Sequence, residues 1–535
     1  MSRTGTIGLR VEEVPFGATP IGGELLRRIE SGEAPADYPL FDAGAAGGGS
    51  SGGRGGEAAS WPGGSAFMDR PRLADLLIES NAAMGNALSG STIEALRGEG
   101  ALVITGQQPG LWTGPGYALW KAMTVIGLAE RLAASTGRPV LPAFWIASED
   151  HDILEVNRAT VGGSTFVADH PEAGGGAGHR PPVGRLSVAP WRGAMMDFLD
   201  RRLPDGPGRG AMLEAAEAAD YSSYTSQFAS MLRAMAGEGR LVLVDPMELR
   251  PALAPALAGA LERADAMVEA FDRGTARLRA AGLEPPLERV GLFEFRDGVR
   301  KPAEVAAGQA ARVRREPEAF SPGAALRPIV QDAAMPVLCT VAGPAELAYL
   351  WQVDPLHAVM AEAGGGRRSA VWPRMSATVL DAGAVERAAG FGLDGAAVFE
   401  ARDRFKRFDP GRYDGGLDAE MAAIEAARDA WIERIEKMRG EGADRRVDRA
   451  RASAEHQSAQ VIRQVRLQRL ERARLGRGRM RELADAVLPA GSPQERVACG
   501  IDLAARLGVE RLRALTASID MTRIAHRLVR IEPVS

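Results

Sequence analysis

Cysteine and long apolar segments are scarce in this sequence. Two cysteines in 535 residues exclude a disulfide framework and favour buried, reduced thiols in a cytosolic protein. No run of about 18 apolar residues is present, so we predict no membrane-spanning helix. The first residues also lack the apolar core of a signal peptide. These absences predict a cytoplasmic protein without a membrane partner.

A large excess of charge of either sign is also missing. The formal net charge is −4, which argues against a general nucleic-acid-binding protein. The arginine-rich stretch 445–481 is interspersed with acidic residues and lacks interleaved aromatic side chains, so we interpret it as a solvated helix face. Apart from His151, the histidines stand alone and show no metal-ligand spacing. We therefore predict no nucleic-acid partner and no metal-ligating residues.

Length and pattern predict several folding units. A chain of 535 residues exceeds one ordinary domain. In residues 1–411 strand-like and helical segments alternate, which is typical of an α/β domain with a mainly parallel sheet. Its segment 43–65, rich in glycine, serine and alanine, is predicted to be a flexible loop. We predict a helical hairpin over 412–487 and a C-terminal segment, 488–535, that packs back on the core.

The predicted hairpin carries apolar residues at heptad spacing. The positions in its first helix are Leu417, Met421, Ile424, Trp431, Ile435 and Met438. Gly440 and Gly442 interrupt this stripe, and a second helical segment follows from about 444 to 486. An antiparallel helix pair exposes one apolar stripe unless a second copy of the chain covers it. We therefore predict a homodimer formed through this coiled coil.

The sequence GQQPGLWTGP follows an apolar strand at 101–105 and precedes a long helix. Its candidate ligand-binding residues are Gly106, Gln107, Gln108, Gly110, Thr113 and Gly114. Glycines allow a ligand to approach the backbone, glutamines both donate and accept, and the expected helix start near Thr113 offers free N–H groups to a phosphate. The alternative is a tight turn in which the glycines serve geometry alone. Lys121, almost two turns into the helix, is equally consistent with a solvated residue and with a ligand contact.

The next strand, 140–146, ends in the sequence SEDHD. Glu149, Asp150, His151 and Asp152 crowd three carboxylates and an imidazole, so a cation must lie nearby or one group must hold a proton. His151 is a candidate general acid or base. The alternative is helix capping by Asp150 or Asp152, with the other side chains solvated. Ligands bind at the carboxyl ends of parallel strands, so we expect both motifs to line one cleft.

Two further motifs follow strand-like segments. RPIVQD begins at Arg327, and VAGPAELAYLWQ repeats the strand–Gly-Pro–helix pattern with Glu346 in the first helical turns. WPRMSAT places Arg374 after a short strand, where it would neutralise developing phosphate charge. The alternative is that these strand ends are polar by chance. In SPQERV, Ser492 is expected to be an N-cap and Glu495 its capping-box partner.

At these motifs the chain resembles the BshC family, the proposed cysteine ligases of bacillithiol biosynthesis. The matching pieces extend from ITGQQPGLWTGPGYALWKA at 104–122 to LPAGSPQERV at 488–497, so the resemblance covers essentially the whole chain. The glycine-rich segment 43–65 departs from the family. The resemblance implies a Rossmann-like core with inserted connecting segments, similar to class I aminoacyl-tRNA synthetases, and a dimerising α-helical coiled-coil domain.

The resemblance also implies ligation of L-cysteine to the amine of glucosaminyl malate, which gives bacillithiol. Class I synthetases use HxGH and KMSKS signatures, whereas here GQQPG takes the first place and PRMSAT only faintly matches the second. Activation of cysteine with ATP or another adenine nucleotide is therefore an analogy with that class. Whether cysteine would be adenylated or phosphorylated, and whether Mg²⁺ is required, stays open.

Our leading hypothesis is an ATP-dependent, amide-forming ligase. The GQQPG loop and Arg374 would hold the nucleotide. Glu149, Asp150 and His151 would bind the ammonium group or act as the base. The remaining substrate-binding candidates are Asp152, Asn157, Arg327 and Glu346. The alternative hypothesis is a non-catalytic, nucleotide-binding dimer that scaffolds other enzymes.

Overall fold

The computed structural model describes residues 2–4, 8–41, 61–62, 64–171, 181–413, 418–439 and 445–532. Most of the predicted glycine-rich loop, 43–65, lies outside these residues. The chain divides into two compact units. Unit 1 comprises Met1–Val379 and Pro493–Val529, and unit 2 comprises Leu380–Ser492 and Arg530–Ser535.

The described chain contains fourteen strands. They are β1 (Ser2–Thr4), β2 (Leu9–Val14), β3 (Ala101–Gln107), β4 (Val140–Ile146), β5 (Arg158–Val161), β6 (Ser164–Val167), β7 (Val242–Val244), β8 (Leu292–Arg296), β9 (Val299–Ala303), β10 (Phe320–Pro322), β11 (Val337–Ala342), β12 (Ala370–Pro373), β13 (Ser376–Leu380) and β14 (His526–Ile531).

The α-helices connect and cover these strands. In unit 1 they are α1 (Glu24–Glu30), α2 (Arg70–Ala83), α3 (Gly90–Arg97), α4 (Tyr117–Thr136), α5 (Ile153–Val156), α6 (Arg192–Arg202), α7 (Arg209–Ala218), α8 (Tyr224–Ala236), α9 (Pro246–Leu261), α10 (Ala264–Ala280), α11 (Ala310–Arg315), α12 (Arg327–Ala334) and α13 (Pro344–Glu362). Unit 2 contains α14 (Ala382–Gly390), α15 (Ala401–Lys406), α16 (Asp418–Arg439), α17 (Arg445–Arg472) and α18 (Arg477–Val487). The C-terminal part of unit 1 adds α19 (Gln494–Val497), α20 (Gly500–Leu507) and α21 (Val509–Ser518). Among the described helices, none is long and apolar enough to cross a membrane.

A five-stranded parallel sheet forms the centre of unit 1. Its strand order is β12-β11-β3-β4-β7, and every neighbouring pair is parallel. Parallel strands covered on both faces are apolar along their length, as the buried residues of β3, β4 and β11 are. The chain proceeds from β3 through β4 to β7 on one side, and from β11 to β12 on the other. The strand order therefore reverses between β3 and β11, and the predicted Rossmann-like α/β fold is confirmed.

Three smaller sheets complete the fold. One has the order β1-β2-β14-β13, one is an antiparallel sheet of order β10-β8-β9, and β5 pairs with β6 as an antiparallel hairpin. The first of these sheets places the N-terminal strand β2 beside the C-terminal strand β14.

Two local predictions are wrong. The helix after GQQPG begins at Tyr117 and not near Thr113, because Trp112 and Thr113 have φ values of 50° and 80°, outside the helical region. Arg327 does not end a strand; it begins α12, since Pro328 in the first turn is preorganised for a helix start.

The helical hairpin of unit 2 differs in detail from the predicted stripe. Met421 of α16 packs against Ile462 of α17, whereas Trp431 is 54% and Met438 83% exposed. The predicted stripe therefore divides between an inward and an outward face. The predicted second helix breaks before α18, where Arg474 has a φ of 58°. Leu417 and the predicted glycine turn lie outside the described residues.

Candidate functional site

Polar side chains follow all five strands of the parallel sheet at their carboxyl ends. They are Gln107, the last residue of β3, and Gln108 after it, Glu149 and Asp150 after β4, Asp245 after β7, Glu346 after β11 and Arg374 after β12. In open α/β sheets, ligands bind where the strand order reverses. Here that position lies between the ends of β3 and β11.

Lys121 joins the two strand ends at this position. Its side chain is 3% exposed, and its Nζ lies 2.6 Å from Oε2 of Glu346. The same ammonium donates to the carbonyl oxygen of Gly106 at 2.7 Å and to Oε1 of Gln107 at 3.2 Å. Burial lowers the pKa of Lys121, while the ion pair with Glu346 acts in the opposite direction. Lys121 is thus a buried cation at the sheet edge and not a solvated helix residue.

Arg374 supplies a second buried cation. Its guanidinium forms a bidentate ion pair with Glu495, at 2.7 and 3.1 Å, and lies 5.5 Å from the ring centre of Tyr117. Within the described chain its Nε has no hydrogen-bond partner. A Cβ added at Gly343 would stand 3.5 Å from this Nε and 3.8 Å from Cε of Lys121. It would also stand 3.0 Å from Oε2 of Glu346, so glycine at position 343 allows this carboxylate and the two cations to lie close together.

Glu495 holds Arg374 from the C-terminal segment. Its Oε2 accepts hydrogen bonds from the Ser376 hydroxyl at 2.9 Å and from the Ala377 N–H at 3.1 Å. Burial would raise the pKa of Glu495, but the charge and hydrogen bonds of Arg374 outweigh it, and the pKa lies below its ordinary value. The predicted capping box is wrong: Pro493 is the N-cap of α19, and the carboxylate binds the guanidinium instead.

The GQQPG and SEDHD loops meet through a hydrogen bond. Nε2 of Gln108 donates to Oδ2 of Asp150 at 2.5 Å. Oδ1 of Asp150 accepts the N–H of His151 at 2.7 Å, and Arg300 Nη1 lies 3.9 Å from it. Glu149 is buried and forms an ion pair with Nε of Arg250 at 2.9 Å. The cations predicted to accompany the crowded carboxylates are these two arginines.

Four other candidates make internal contacts. Asp152 caps α5 by accepting the Leu154 N–H at 3.1 Å, as the capping alternative expected. The side chain of Asn157 donates to a backbone carbonyl at 3.1 Å, and the hydroxyl of Thr113 is buried, 3.9 Å from the Met235 sulfur. Arg327 donates to the Tyr349 hydroxyl at 2.9 Å. Each of these four polar side chains therefore already contacts another group of the protein.

Sequence reasoning missed Asp245, which follows β7. Its carboxylate is buried, makes a short hydrogen bond with the Ser148 hydroxyl and caps α9 through the Met247 N–H. Burial raises the pKa of Asp245 to about 6. Gln107 and Asp150 were selected because polar residues at the end of an apolar strand are site candidates. The sequence VLVDP has the same pattern, so the sequence did contain a local signal for Asp245. No local signal links Arg374 to Glu495, which lies 121 residues away.

A cleft of about 500 Å³ opens beside the carboxyl end of β3, where the strand order reverses. Its lining residues come from the GQQPG loop, from α5 and β5, and from the segment after Glu495. They include Gln107, Gln108, Gly110, Gly114, Tyr117, Glu155, Arg158, Thr160, Arg496 and Cys499. A Cβ at Gly110 would lie 2.8 Å from Cα of Gly114, so the loop backbone closes tightly on itself. Burial raises the pKa of the Cys499 thiol to about 12, which leaves it protonated at neutral pH.

The residues at this edge offer hydrogen-bond donors to a nucleotide phosphate. The Nε of Arg374 is an unused donor near the ammonium of Lys121, and the two cations are also paired with carboxylates, Glu495 and Glu346 respectively. Among the described residues, no group of three or more His, Cys, Asp and Glu side chains is arranged to hold a metal ion.

Comparisons with known proteins agree on one family. Residues 58–362 match the family model described as bacillithiol biosynthesis BshC, N-terminal Rossmann-like domain. A relative in Heliobacterium modesticaldum, named as a proposed cysteine ligase BshC, is 30% identical over 74% of this chain and 77% of its own. The Thermus thermophilus relative of the same name is 31% identical over 74% of this chain and 81% of its own.

Among solved structures, a proposed arginyl-tRNA synthetase of Campylobacter jejuni is 12% identical and covers 85% of this chain and 100% of its own. Its TM-score of 0.26 is too low to support an inference. The family model alone spans more than half of the chain. The match to the Heliobacterium modesticaldum relative covers a larger part of the chain, 74%. This chain therefore belongs to the BshC family.

Proposed function

We propose that the protein is an ATP-dependent ligase that joins the carboxyl group of L-cysteine to the amine of glucosaminyl malate, forming bacillithiol. The family and the names of the relatives support the class of reaction. The observation that supports nucleotide binding is the pair of buried cations, Lys121 and Arg374, at the position where the strand order reverses.

Lys121, the free Nε of Arg374 and the backbone of the GQQPG loop would hold the phosphates. ATP, when bound, supplies the free energy for activating the cysteine carboxyl. The two cations are held in place before any ligand arrives, since each is already bound to a carboxylate of the fold. Preorganised charge of this kind stabilises developing negative charge with little rearrangement.

The amine must lose a proton when the amide bond forms. Asp150 and His151 are suited to hold the ammonium group and take up this proton, since both are about one-third exposed and Asp150 is hydrogen-bonded to Gln108. Glu149 is fully engaged by Arg250, so we assign it to holding the loop and not to the proton transfer. Glu346, predicted to bind substrate, is paired with Lys121 at 2.6 Å, and we assign it to holding this ammonium in place.

A homodimer through the hairpin is part of the proposal. Ile424, Trp431 and Met438 of α16 are exposed at intervals of seven residues, and Val461 and Val465 of α17 are exposed as well. Large apolar side chains at heptad spacing are typical of helices that pack against another helix. We propose that the hairpin of a second copy of the chain packs against this face.

The full-length protein, ATP, cysteine and glucosaminyl malate should yield a new thiol with the mass of bacillithiol, measured by mass spectrometry. Omitting any one substrate should abolish the product. Lys121→Met should reduce the rate about 10²-fold or more. Lys406→Met, at an exposed lysine of unit 2, is the matched control and should leave the rate unchanged. Nucleotide binding without turnover in the wild-type protein would instead support the scaffold alternative.

A further inference from the structure

Two arginines outside the proposed nucleotide position line the cleft. Arg158 lies on β5 and Arg496 on α19, and both share the cleft with Gln108 and Tyr117. A parallel bridge joins Thr160 to Ala498, and each arginine lies two residues before its bridging residue. The two guanidinium groups therefore extend from neighbouring backbone segments at one end of the cleft.

The backbones that carry these arginines are anchored. The Cys499 N–H donates to the Thr160 carbonyl at 2.8 Å, and the Gly116 N–H donates to the Ala498 carbonyl at 2.7 Å. Glu495, next to Arg496, is 2% exposed, and Ala159, next to Arg158, is 6% exposed. Both arginine side chains are themselves exposed. The fold thus fixes the base of each side chain and leaves its charged end available to a ligand.

Among the residues that the structure describes, no carboxylate forms an ion pair with either guanidinium. The side-chain contact of Arg158 is a long one, 3.5 Å from Nε to Oδ1 of Asn157. Of the described residues that line the cleft, Glu155 is the one carboxylate, against these two cations. Other exposed arginines of unit 1, such as Arg185 and Arg192, each have an acidic neighbour within 4 Å. An unpaired pair of guanidinium groups at a cleft favours an anionic ligand.

We propose that Arg158 and Arg496 bind the two carboxylates of the malyl group of the amino-sugar acceptor. This inference rests on the proposed function and specifies which end of the acceptor lies where. Guanidinium groups bind carboxylates through two parallel hydrogen bonds, and the acceptor carries two carboxylates on its malyl group, which is attached to the ring carbon next to the one that bears the amine. Gln108 lines the same cleft and donates to Asp150, so the amine would point toward Asp150 and His151.

The test compares binding of two acceptors by the full-length protein. Isothermal titration should show that Arg158→Ala and Arg496→Ala each weaken binding of glucosaminyl malate about 10- to 100-fold. Binding of methyl glucosaminide, which has the amine but no carboxylate, should be unaffected. Arginine-to-lysine variants should bind with intermediate affinity, because lysine keeps the charge and loses the planar fork. Arg72→Ala, at an exposed arginine of α2 outside the cleft, is the matched control.

Steady-state kinetics distinguish the two anions that the arginines could bind, the malyl carboxylates and the nucleotide phosphate. In ligation assays the alanine variants should raise KM for glucosaminyl malate and leave KM for ATP and cysteine unchanged. A raised KM for ATP would show that the arginines bind nucleotide phosphate and would overturn the proposal, as would unchanged affinity for glucosaminyl malate. If the wild-type protein binds glucosaminyl malate but forms no product, the proposed ligation fails, while the titrations still decide the role of the arginines. Absence of any binding to the wild-type protein overturns both.

Discussion

Arg374 and Glu495 form an ion pair in which both side chains are almost completely buried, at 3% and 2% exposure. Arg374 follows β12 at the edge of the parallel sheet, and Glu495 lies in the C-terminal segment that returns to unit 1. Since Glu495 occupies both terminal nitrogens of the guanidinium, the Nε is left as the free donor. The C-terminal segment thereby sets the orientation of a cation in the proposed nucleotide site.

Removing the charge of Glu495 should destabilise the fold. Glu495→Gln leaves the Arg374 guanidinium buried without its counter-ion, and breaking a buried pair from one side costs about 3–5 kcal/mol. Urea unfolding at pH 7 should show this loss in the free energy of unfolding. Glu510→Gln removes an exposed carboxylate from the same C-terminal segment and should change stability by less than about 0.5 kcal/mol. Equal stability of the two variants would mean that the buried pair adds nothing.

The buried imidazole of His526 should make stability depend on pH. Burial lowers the pKa of His526 to about 4 from an ordinary value of 6.5. Between these values the unfolded chain binds the proton and the folded protein does not, so the free energy of unfolding decreases as the pH falls. This group alone should remove about 3 kcal/mol between pH 7 and pH 4.

His526→Gln isolates this contribution. The stability difference between the wild-type protein and the variant should shrink by most of that amount when urea unfolding is repeated near pH 4. His456→Gln, at an exposed histidine of α17, is the control variant. A difference for His526→Gln that is independent of pH would show that the imidazole is already charged in the folded state.

Gln108 and Asp150 should act as a coupled pair in catalysis. Gln108→Ala and Asp150→Asn should each reduce ligation about 10²-fold or more, with the fold intact by circular dichroism. Because their side chains share a 2.5 Å hydrogen bond, the double variant should lose less than the sum of the two effects, with a coupling of about 0.5–3 kcal/mol. Strictly additive effects would indicate that the two loops contribute to separate sites.

The exposed stripe of the hairpin should control the oligomeric state. Trp431→Asp places a charge on the proposed interface, so sedimentation velocity should show a monomer where the wild type is a dimer. Ala426→Asp, on the opposite face of α16, should leave the dimer unchanged. Helical content should be the same in all three proteins. A dimer that survives Trp431→Asp would place the contact elsewhere.

The sequence by itself determined the local elements of the core. The apolar strand at 140–146 is observed as β4 with the same bounds, and the long helix before it is α4. These elements depend on residue type and spacing within a few positions, which the sequence displays directly. The same pattern predicted that the GQQPG and SEDHD loops line one cleft, because successive parallel strands end at one edge of the sheet. The two loops are joined by the Gln108–Asp150 hydrogen bond, but only the GQQPG loop lines the observed cleft.

Only the tertiary structure decided which distant groups meet. The order of β11, β3 and β4, the ion pair of Arg374 with Glu495, and the adjacency of Arg158 and Arg496 each join residues more than 30 positions apart. The glutamate that local pattern assigned to a helix cap finds a buried guanidinium instead, because an unpaired buried charge is far less favourable than an unmade cap. Nearest-neighbour propensity carries no information about such pairings, since their energy depends on burial and distance in the folded chain.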